Sequence, residues 1–260
     1  MPDKGATEKT FVVGVGYTGS RLLRELDDGV GVSRGDQPDF GPRYNIIYTA
    51  PPADDYLENR LARMDPPPQR LVFISTTGVY GDCGTQLINE KATLAPAAER
   101  AKRRVAAEET LHGWSLQKAV DLIVLRVPGI YGPERLGIER IKSAVPILVE
   151  EDASPGNRIH VDDLVRCCIA GLSSAVPAGI YNVGDGDMRS RTWFANEVAR
   201  QCCLEAPPTV TREHAEETFS AERLSFLNES RRLDLRKMRD VLGVTPRYRD
   251  AAAGIAASLG

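Results

Sequence analysis

An apolar run enters a glycine-rich turn in the stretch Phe11-Val12-Val13-Gly14-Val15-Gly16-Tyr17-Thr18-Gly19, and a helical pattern follows it. This Gly-x-Gly-x-x-Gly spacing between a strand and a helix is typical of a dinucleotide-binding βαβ unit. Gly14 permits the tight turn, Gly16 leaves room for a pyrophosphate, and Gly19 lets the helix pack closely on the strand. The free N–H groups and partial positive charge at the helix start would then bind the phosphates.

The end of the second apolar segment indicates which dinucleotide to expect. An NAD site usually carries an acid there, which binds the ribose 2′-hydroxyl, whereas this segment ends in Ser33-Arg34. A hydroxyl and a guanidinium suit a 2′-phosphate, because arginine makes planar, charge-assisted hydrogen bonds to phosphate. We therefore expect NADP(H), and Asp36 is the nearby acid that would serve NAD instead.

The composition is that of a globular protein with no general affinity for polyanions. The chain has 260 residues, of which 42% are hydrophobic, and a net charge of −3, so it has material for a core and no basic excess for nucleic acid. It contains no apolar run long enough to span a membrane and no signal-peptide core. Its five cysteines show neither a Cys-x-x-Cys pair nor zinc spacing. We expect a cytoplasmic protein that acts on a small molecule and has no metal, nucleic-acid or membrane partner.

Strands and helices alternate along the first 150 residues. Apolar runs predict strands over 45–50, 70–75 and 120–127, and helical patterns predict helices over 54–64 and 96–111. Near-continuous apolar strands separated by helices indicate a parallel sheet that is covered on both faces. The predicted fold class is therefore α/β, a Rossmann doubly wound parallel sheet.

The pattern after residue 150 is less regular and predicts a small C-terminal substrate lobe. We interpret residues 1–260 as a single unit, with a dinucleotide-binding core over roughly 10–150. Residues 151–260 would form mainly the substrate lobe, together with elements that return to the core. Because ligands bind at the carboxyl ends of parallel strands, the substrate cleft is expected between the lobe and the sheet.

Five further motifs follow the glycine-rich turn in a fixed order. They are Ser75-Thr76-Thr77-Gly78-Val79-Tyr80-Gly81-Asp82, Arg126-Val127-Pro128-Gly129-Ile130-Tyr131-Gly132-Pro133, Arg158-Ile159-His160-Val161-Asp162-Asp163-Leu164, Tyr181-Asn182-Val183-Gly184 and Leu242-Gly243-Val244-Thr245-Pro246-Arg247-Tyr248. In this order the motifs resemble the landmarks of the extended short-chain dehydrogenases/reductases, the NAD-dependent epimerase/dehydratase family. The resemblance implies a Rossmann fold, a bound nicotinamide dinucleotide and a small carbonyl or sugar-like substrate.

One landmark of that family is missing. The family carries Tyr-x-x-x-Lys on the helix after the fourth strand, where the tyrosine exchanges a proton with the substrate and the lysine binds the nicotinamide ribose. Arg100 and Arg104 occupy those positions here, and no tyrosine has a lysine four residues later. Arginine stays protonated and has no acceptor, so Arg100 cannot act as the acid or base, whereas Arg104 would still bind the ribose. The chain thus resembles the short, atypical YeeZ-like branch of the family, whose active-site tetrad is often degraded.

The resemblance also assigns site residues. Thr76 aligns with the family's catalytic Ser/Thr, and Tyr80 is the nearest aligned tyrosine; both are predicted to be catalytic. Tyr131, His160 and Asp82 are the alternative proton donors. The predicted cofactor contacts are Gly14, Gly16, Tyr17, Thr18, Gly19, Ser33, Arg34, Thr49, Ala50, Pro51, Ser75, Arg104, Pro128 and Ile130.

Two functions are consistent with these residues. The first is an NADP(H)-binding oxidoreductase or epimerase/dehydratase-like protein with a non-standard acid/base. The second is a catalytically inactive dinucleotide-binding sensor or scaffold, which loss of Tyr-x-x-x-Lys beside retained glycines would predict. Arg231 and Arg232 are candidates to meet an anionic substrate. The resemblance further implies a homodimer through the helices after the fourth and fifth strands.

Overall fold

The computed structural model describes residues 8–52, 56–227 and 229–260. The strands are β1 (Lys9–Val13), β2 (Gly29–Val32), β3 (Tyr44–Tyr48), β4 (Arg70–Thr76), β5 (Leu87–Ile88), β6 (Asp121–Val127), β7 (Gly129–Tyr131), β8 (Ile147–Leu148), β9 (Arg158–His160), β10 (Gly179–Asn182), β11 (Thr209–Val210) and β12 (Arg232–Leu233). The helices are α1 (Tyr17–Glu25), α2 (Tyr56–Leu61), α3 (Glu99–Lys118), α4 (Ile138–Lys142), α5 (Val161–Ala170), α6 (Arg191–Gln201), α7 (Arg212–Thr218), α8 (Ala221–Leu227), α9 (Arg236–Asp240) and α10 (Ala251–Leu259). Short 3-10 turns span Thr77–Tyr80 and Glu150–Asp152.

Within the described residues, six strands form one sheet in the order β10-β6-β4-β3-β1-β2, and every neighbouring pair is parallel. The predicted α/β, Rossmann-like fold is confirmed. The chain passes from β2 to β3 through a loop without a helix, so the strand beyond β2 in the full Rossmann order is absent from the described sheet. The strand order reverses between β1 and β3, and such a switch point is where α/β sheets bind ligands.

Both faces of the sheet are covered, as the near-continuous apolar strands predict. Val12 of β1 belongs to an apolar cluster with Leu22 of α1 and Leu164 of α5. The adjacent Phe11 belongs to a cluster on the other face, with Leu111 of α3. Because successive side chains of a strand point to opposite faces, β1 needs apolar residues at consecutive positions.

The chain after residue 150 contributes both to the main sheet with its covering helices and to a second layer beside the sheet. Helix α5 packs against α1, and β10 forms an edge of the main sheet. Helices α6 and α10 pack beside the sheet together with α4, which precedes residue 150, around a smaller apolar cluster that includes Ile141, Val198 and Ile255. This second layer forms one wall of the cleft described below.

The predicted end of the third helix at residue 111 is wrong, since α3 continues to Lys118. Beyond Gly113, Trp114 packs partly buried against the same cluster that contains Leu111. The helix stops at Ala119, whose left-handed backbone conformation has a φ of 54°. Tertiary packing thus extends the helix past the weak position at Gly113.

A buried ion pair joins α3 to the sheet beneath the strand ends. Arg126 of β6 donates from Nη2 to Glu108 Oε2 of α3 at 2.7 Å, and the Ser75 hydroxyl of β4 donates to Glu108 Oε1. The side chains of Arg126 and Glu108 are only 3% and 8% exposed. Because both charges have left water, each depends on the other for compensation. The pair therefore holds α3 against the ends of two adjacent strands.

We expect Glu108→Ala to lower the free energy of unfolding by about 3 kcal/mol or more, because it leaves Arg126 buried without its carboxylate. Glu109→Ala is the matched control, since it removes an exposed carboxylate from the next position of the same helix. Its effect should stay within about 0.5 kcal/mol. Urea unfolding of both variants measures the difference, and equal effects would contradict a structural role for the pair.

Candidate functional site

The glycine-rich turn has room for backbone atoms only. Gly14 has a φ of +101°, and a Cβ there would lie 2.7 Å from Ala50 N. A Cβ at Gly19 would overlap the Gly14 carbonyl oxygen. The Thr49 hydroxyl donates to that same oxygen at 2.6 Å, and Ala50 N donates to Val13 O at 3.1 Å. Thr49 and Ala50, both predicted cofactor contacts, therefore close the turn through these hydrogen bonds.

The space in front of α1 is open. A Cβ at Gly16 would meet no atom within 4 Å, and no side chain caps the N–H groups at this helix start. An open approach to uncapped N–H groups fits the pyrophosphate of a dinucleotide. The Tyr17 hydroxyl donates to Pro133 O at 2.9 Å, and Thr18 is buried. Tyr17 therefore links the start of α1 to the segment after β7.

The loop after β2 exposes Ser33 and Arg34. Arg60, buried on α2, donates to the carbonyl oxygens of Asp36, Ser33 and Arg34 at 2.8, 3.2 and 3.3 Å. Ser33 N donates to Asp36 Oδ2 at 2.7 Å, so the carboxylate that would serve NAD also closes a turn of its own loop. Sequence reasoning missed Arg60, because its partners are backbone groups far along the chain.

Thr76 and Tyr80, the two predicted catalytic residues, lie in different environments. Thr76 lines the cleft, and its hydroxyl oxygen accepts a hydrogen bond from Gly78 N at 3.1 Å. Tyr80 is 1% exposed, and its hydroxyl donates to Asn182 Oδ1 at 2.7 Å. Burial, the largest effect on this phenol, raises the pKa of Tyr80. The prediction of Tyr80 as a proton donor is therefore wrong, because its hydroxyl is committed to the protein interior.

Two predicted cofactor contacts are also directed toward the sheet. The Ser75 hydroxyl faces Glu108 rather than the cleft, which corrects its predicted role. Arg104 donates from Nη1 to Ile74 O, and its guanidinium lies 5.5 Å from the centre of the Phe73 ring. Burial lowers the pKa of Arg104 to about 10. Arg104 still lines the cleft, where its other N–H groups can meet a ligand.

The alternative proton donors do not present their titratable groups to the cleft. The buried Tyr131 hydroxyl lies against Gly254, where a Cβ would overlap it. His160 is buried, and its Nδ1 accepts from Asp162 N at 3.2 Å. Desolvation lowers the pKa of His160, which favours the neutral imidazole that this bond requires. Asp82 lies outside the cleft lining and accepts from two backbone N–H groups.

A cleft of about 970 Å³ lies between the strand ends and the C-terminal layer. It brings together Pro51, Thr76, Arg104, Pro128 and Ile130 from the predicted site. Among the described residues, eight arginines and two glutamates line it. The arginines are Arg100, Arg103, Arg104, Arg135, Arg140, Arg158, Arg191 and Arg231. Sequence reasoning did not group them, because they come from segments spread over more than half of the chain.

The described part of the chain holds no cluster of three or more His, Cys, Asp or Glu side chains that could bind a metal. No helix in residues 8–52, 56–227 and 229–260 has both the length and the apolarity to cross a membrane.

The fold and the glycine-rich turn are those of a Rossmann-like α/β protein. A model of the NAD dependent epimerase/dehydratase family matches residues 59–184, so this part of the chain is similar to that family. Human dTDP-D-glucose 4,6-dehydratase is 22% identical over 138 residues, which cover 50% of this chain and 39% of that protein. The similarity thus spans well under half of the curated relative.

Solved structures show the same fold over nearly the whole chain. A functionally unknown conserved protein from Silicibacter pomeroyi has a TM-score of 0.85 and 24% identity, covering 97% of this chain and 98% of that one. MoeE5 in complex with UDP-glucose and NAD has a TM-score of 0.76 and 18% identity, covering 96% and 97%. RMD from Pseudomonas aeruginosa, complexed with NADPH, has a TM-score of 0.73 and 16% identity, covering 96% and 98%. NAD and NADPH thus both occur in proteins of this fold.

Proposed function

We propose that the chain is an NADP(H)-binding oxidoreductase or epimerase/dehydratase-like enzyme that acts on a small carbonyl or sugar-like substrate. The observation that carries this proposal is the open space at Gly16, in front of the uncapped start of α1. A dinucleotide bound there would supply hydride chemistry at its nicotinamide. Its nicotinamide end would reach the cleft beside Pro128 and Ile130, at the carboxyl ends of the strands.

Thr76 supports a role in proton exchange at the reacting oxygen. Its hydroxyl oxygen already accepts a hydrogen bond from Gly78 N. The hydroxyl proton is therefore free to be donated to a substrate oxygen in the cleft. The tyrosine that usually exchanges this proton is replaced by Arg100, so the acid/base of the proposed enzyme is non-standard.

The loop after β2 supports NADP(H) over NAD(H). Arg34 is exposed there, with its guanidinium 5.5 Å from the centre of the Tyr56 ring. Arg60 holds the loop carbonyls, and Asp36 already accepts a backbone hydrogen bond. An ordered loop that presents an arginine suits a 2′-phosphate, because the guanidinium makes charge-assisted hydrogen bonds to it.

Gly16→Ala tests the proposed phosphate site. Its φ of −89° suits alanine, so the variant should fold, yet its methyl group would occupy the open space. We expect NADPH binding to weaken by roughly tenfold or more, which corresponds to about 1.4 kcal/mol. Gly113→Ala, at another uncrowded glycine, is the control and should bind normally. Calorimetric titration with NADPH measures both, and unchanged affinity in Gly16→Ala would contradict the site.

Arg34→Gln tests the choice of cofactor. We expect the affinity for NADPH to fall by roughly tenfold, because a charge-assisted hydrogen bond to the 2′-phosphate is lost. The affinity for NADH should change little. Arg24→Gln, which alters an exposed arginine in the last turn of α1, is the control. Parallel titrations with NADPH and NADH give the ratio of the two affinities. An equal loss of affinity for both cofactors would argue against recognition of the 2′-phosphate.

A dinucleotide-binding sensor or scaffold without catalysis is the second candidate. The burial of the Tyr80 hydroxyl against Asn182 and of the Tyr131 hydroxyl against Gly254 favours it. Neither tyrosine can replace the missing donor from these positions. Both candidates require the same cofactor site, so turnover separates them.

For the enzyme, we expect NADPH oxidation with at least one compound from a panel of aldehydes, ketones and sugars. Thr76→Val should then reduce kcat by about 100-fold, the lower end of the contribution of a positioned proton donor. Thr93→Val, at an exposed threonine outside the cleft, should leave kcat unchanged. Absorbance at the nicotinamide band follows the reaction, and a panel without turnover would favour the sensor.

A further inference from the structure

A second cavity of about 350 Å³ opens beside the cleft, between α4, β8, α6 and α8. Its volume lies at the lower end of the roughly 300–1,000 Å³ typical of small-molecule sites. The cavity and the cleft share the wall residues Leu136, Gly137, Arg140, Arg191 and Phe194. The two spaces therefore adjoin along this shared wall.

The cavity wall is largely apolar, with Ile141, Leu148 and Phe219 among its residues. Its two side-chain hydroxyls are already used. Thr192 donates to the Leu148 carbonyl oxygen at 2.8 Å, and Ser154 donates to another backbone oxygen at 3.4 Å. Among the described residues, no Asn, Gln, Asp or Glu lines this wall. A sugar buried here would lose its water and find no carboxylate or amide acceptor for its hydroxyl protons among the described residues, which is costly. An apolar group has no such cost.

The charges of the cavity wall are all positive. Its charged side chains in the described residues are Arg140, Arg191 and Arg223. Arg223 lies over the Phe219 ring at 3.4 Å and donates to Pro146 O, so it covers the apolar wall. Arg140 and Arg191 instead lie on the wall shared with the cleft. The positive charge is therefore concentrated at the junction of the two spaces.

The cleft side of this junction is also positive. Arg158 is 6% exposed, and its Nη1 makes no hydrogen bond, although Asp187 Oδ1 lies 3.6 Å away and offsets part of its charge. Arg191 retains an exposed part, yet desolvation, followed by repulsion from Arg231, lowers the pKa of its guanidinium. Glu229 pairs with Arg231 and offsets one of these charges. Guanidinium groups that repel one another in a partly buried wall favour a bound anion.

We propose that the cavity and the shared wall bind an amphipathic organic anion, whose apolar body fills the cavity while its carboxylate or phosphate meets Arg140 and Arg191. As a statement about the substrate, this inference rests on the proposed function. It gives the substrate an apolar remote part in place of the nucleotide sugar that MoeE5 holds.

Four probes test the proposal on the full chain by calorimetric titration: octanoate, octyl phosphate, octanol and UDP-glucose. We expect the tighter of the two anions to bind at least roughly tenfold more tightly than octanol, because charge-assisted hydrogen bonds distinguish them. It should also bind more tightly than UDP-glucose. Whichever of the two anions binds more tightly shows whether the site prefers a carboxylate or a phosphate. Equal binding of octanol, tighter binding of UDP-glucose, or no binding of either anion would overturn the proposal.

Two variants locate the site. Arg191→Gln should weaken binding of the more tightly bound anion by roughly tenfold. Arg239→Gln, at an exposed arginine of α9, should leave that affinity unchanged. Ala195→Leu, which adds bulk to the cavity wall, should weaken the anion and leave NADPH affinity unchanged. Anion binding that neither Arg191→Gln nor Ala195→Leu affects would overturn the proposed location. Titrating NADPH into the same samples separates failure of this site from failure of the cofactor site.

Discussion

The close approach of α1 to the end of β1 is the constraint on which the rest of the site depends. Gly19 lies so near the Gly14 carbonyl oxygen that any side chain would overlap it, and Thr49 of the neighbouring segment bonds the same oxygen. The start of α1 is thereby placed at the switch point of the sheet, with open space at Gly16. Steric exclusion on one side of the turn and free room on the other leave the uncapped N–H groups of α1 open at the place where we propose that the phosphates bind.

The buried pair of Glu108 and Arg126 fixes the position of α3 at the opposite side of the site, as the glycine-rich turn fixes the position of α1. It joins α3 to β6, and through Ser75 it also joins α3 to β4. Thr76 follows Ser75 directly, and Pro128 follows the end of β6. Removing either partner of a buried ion pair is strongly destabilising, so the pair holds these strand ends against α3. The pair therefore fixes the strand ends at the floor of the cleft, and it also positions α3, which carries the cleft arginines Arg100, Arg103 and Arg104.

Much of the fold was predictable, because strand and helix periodicity are local properties. The sheet strands, the turn and the order of the motifs follow from such patterns, and Thr76, Arg104, Pro128 and Ile130 do come together in the cleft. Tyr80 was misplaced because alignment gives its position along the chain and not the side to which its ring turns. The direction of the Ser75 hydroxyl was not predictable either, since its partner Glu108 lies 33 residues away along the chain. The role of Arg60 had no local signal at all.

Residue identity and spacing alone determine the α/β, Rossmann-like fold class, since a Gly-x-Gly-x-x-Gly turn between an apolar strand and a helix is typical of its first βαβ unit. They also show that Arg100 cannot exchange a proton, because a guanidinium has no acceptor. The character of the cleft depends on tertiary packing. Arg140, Arg158 and Arg191 come from separate elements, and only the folded chain brings them to one cleft beside an apolar cavity. Side-chain direction and long-range proximity arise from packing, and no local pattern of residues encodes them.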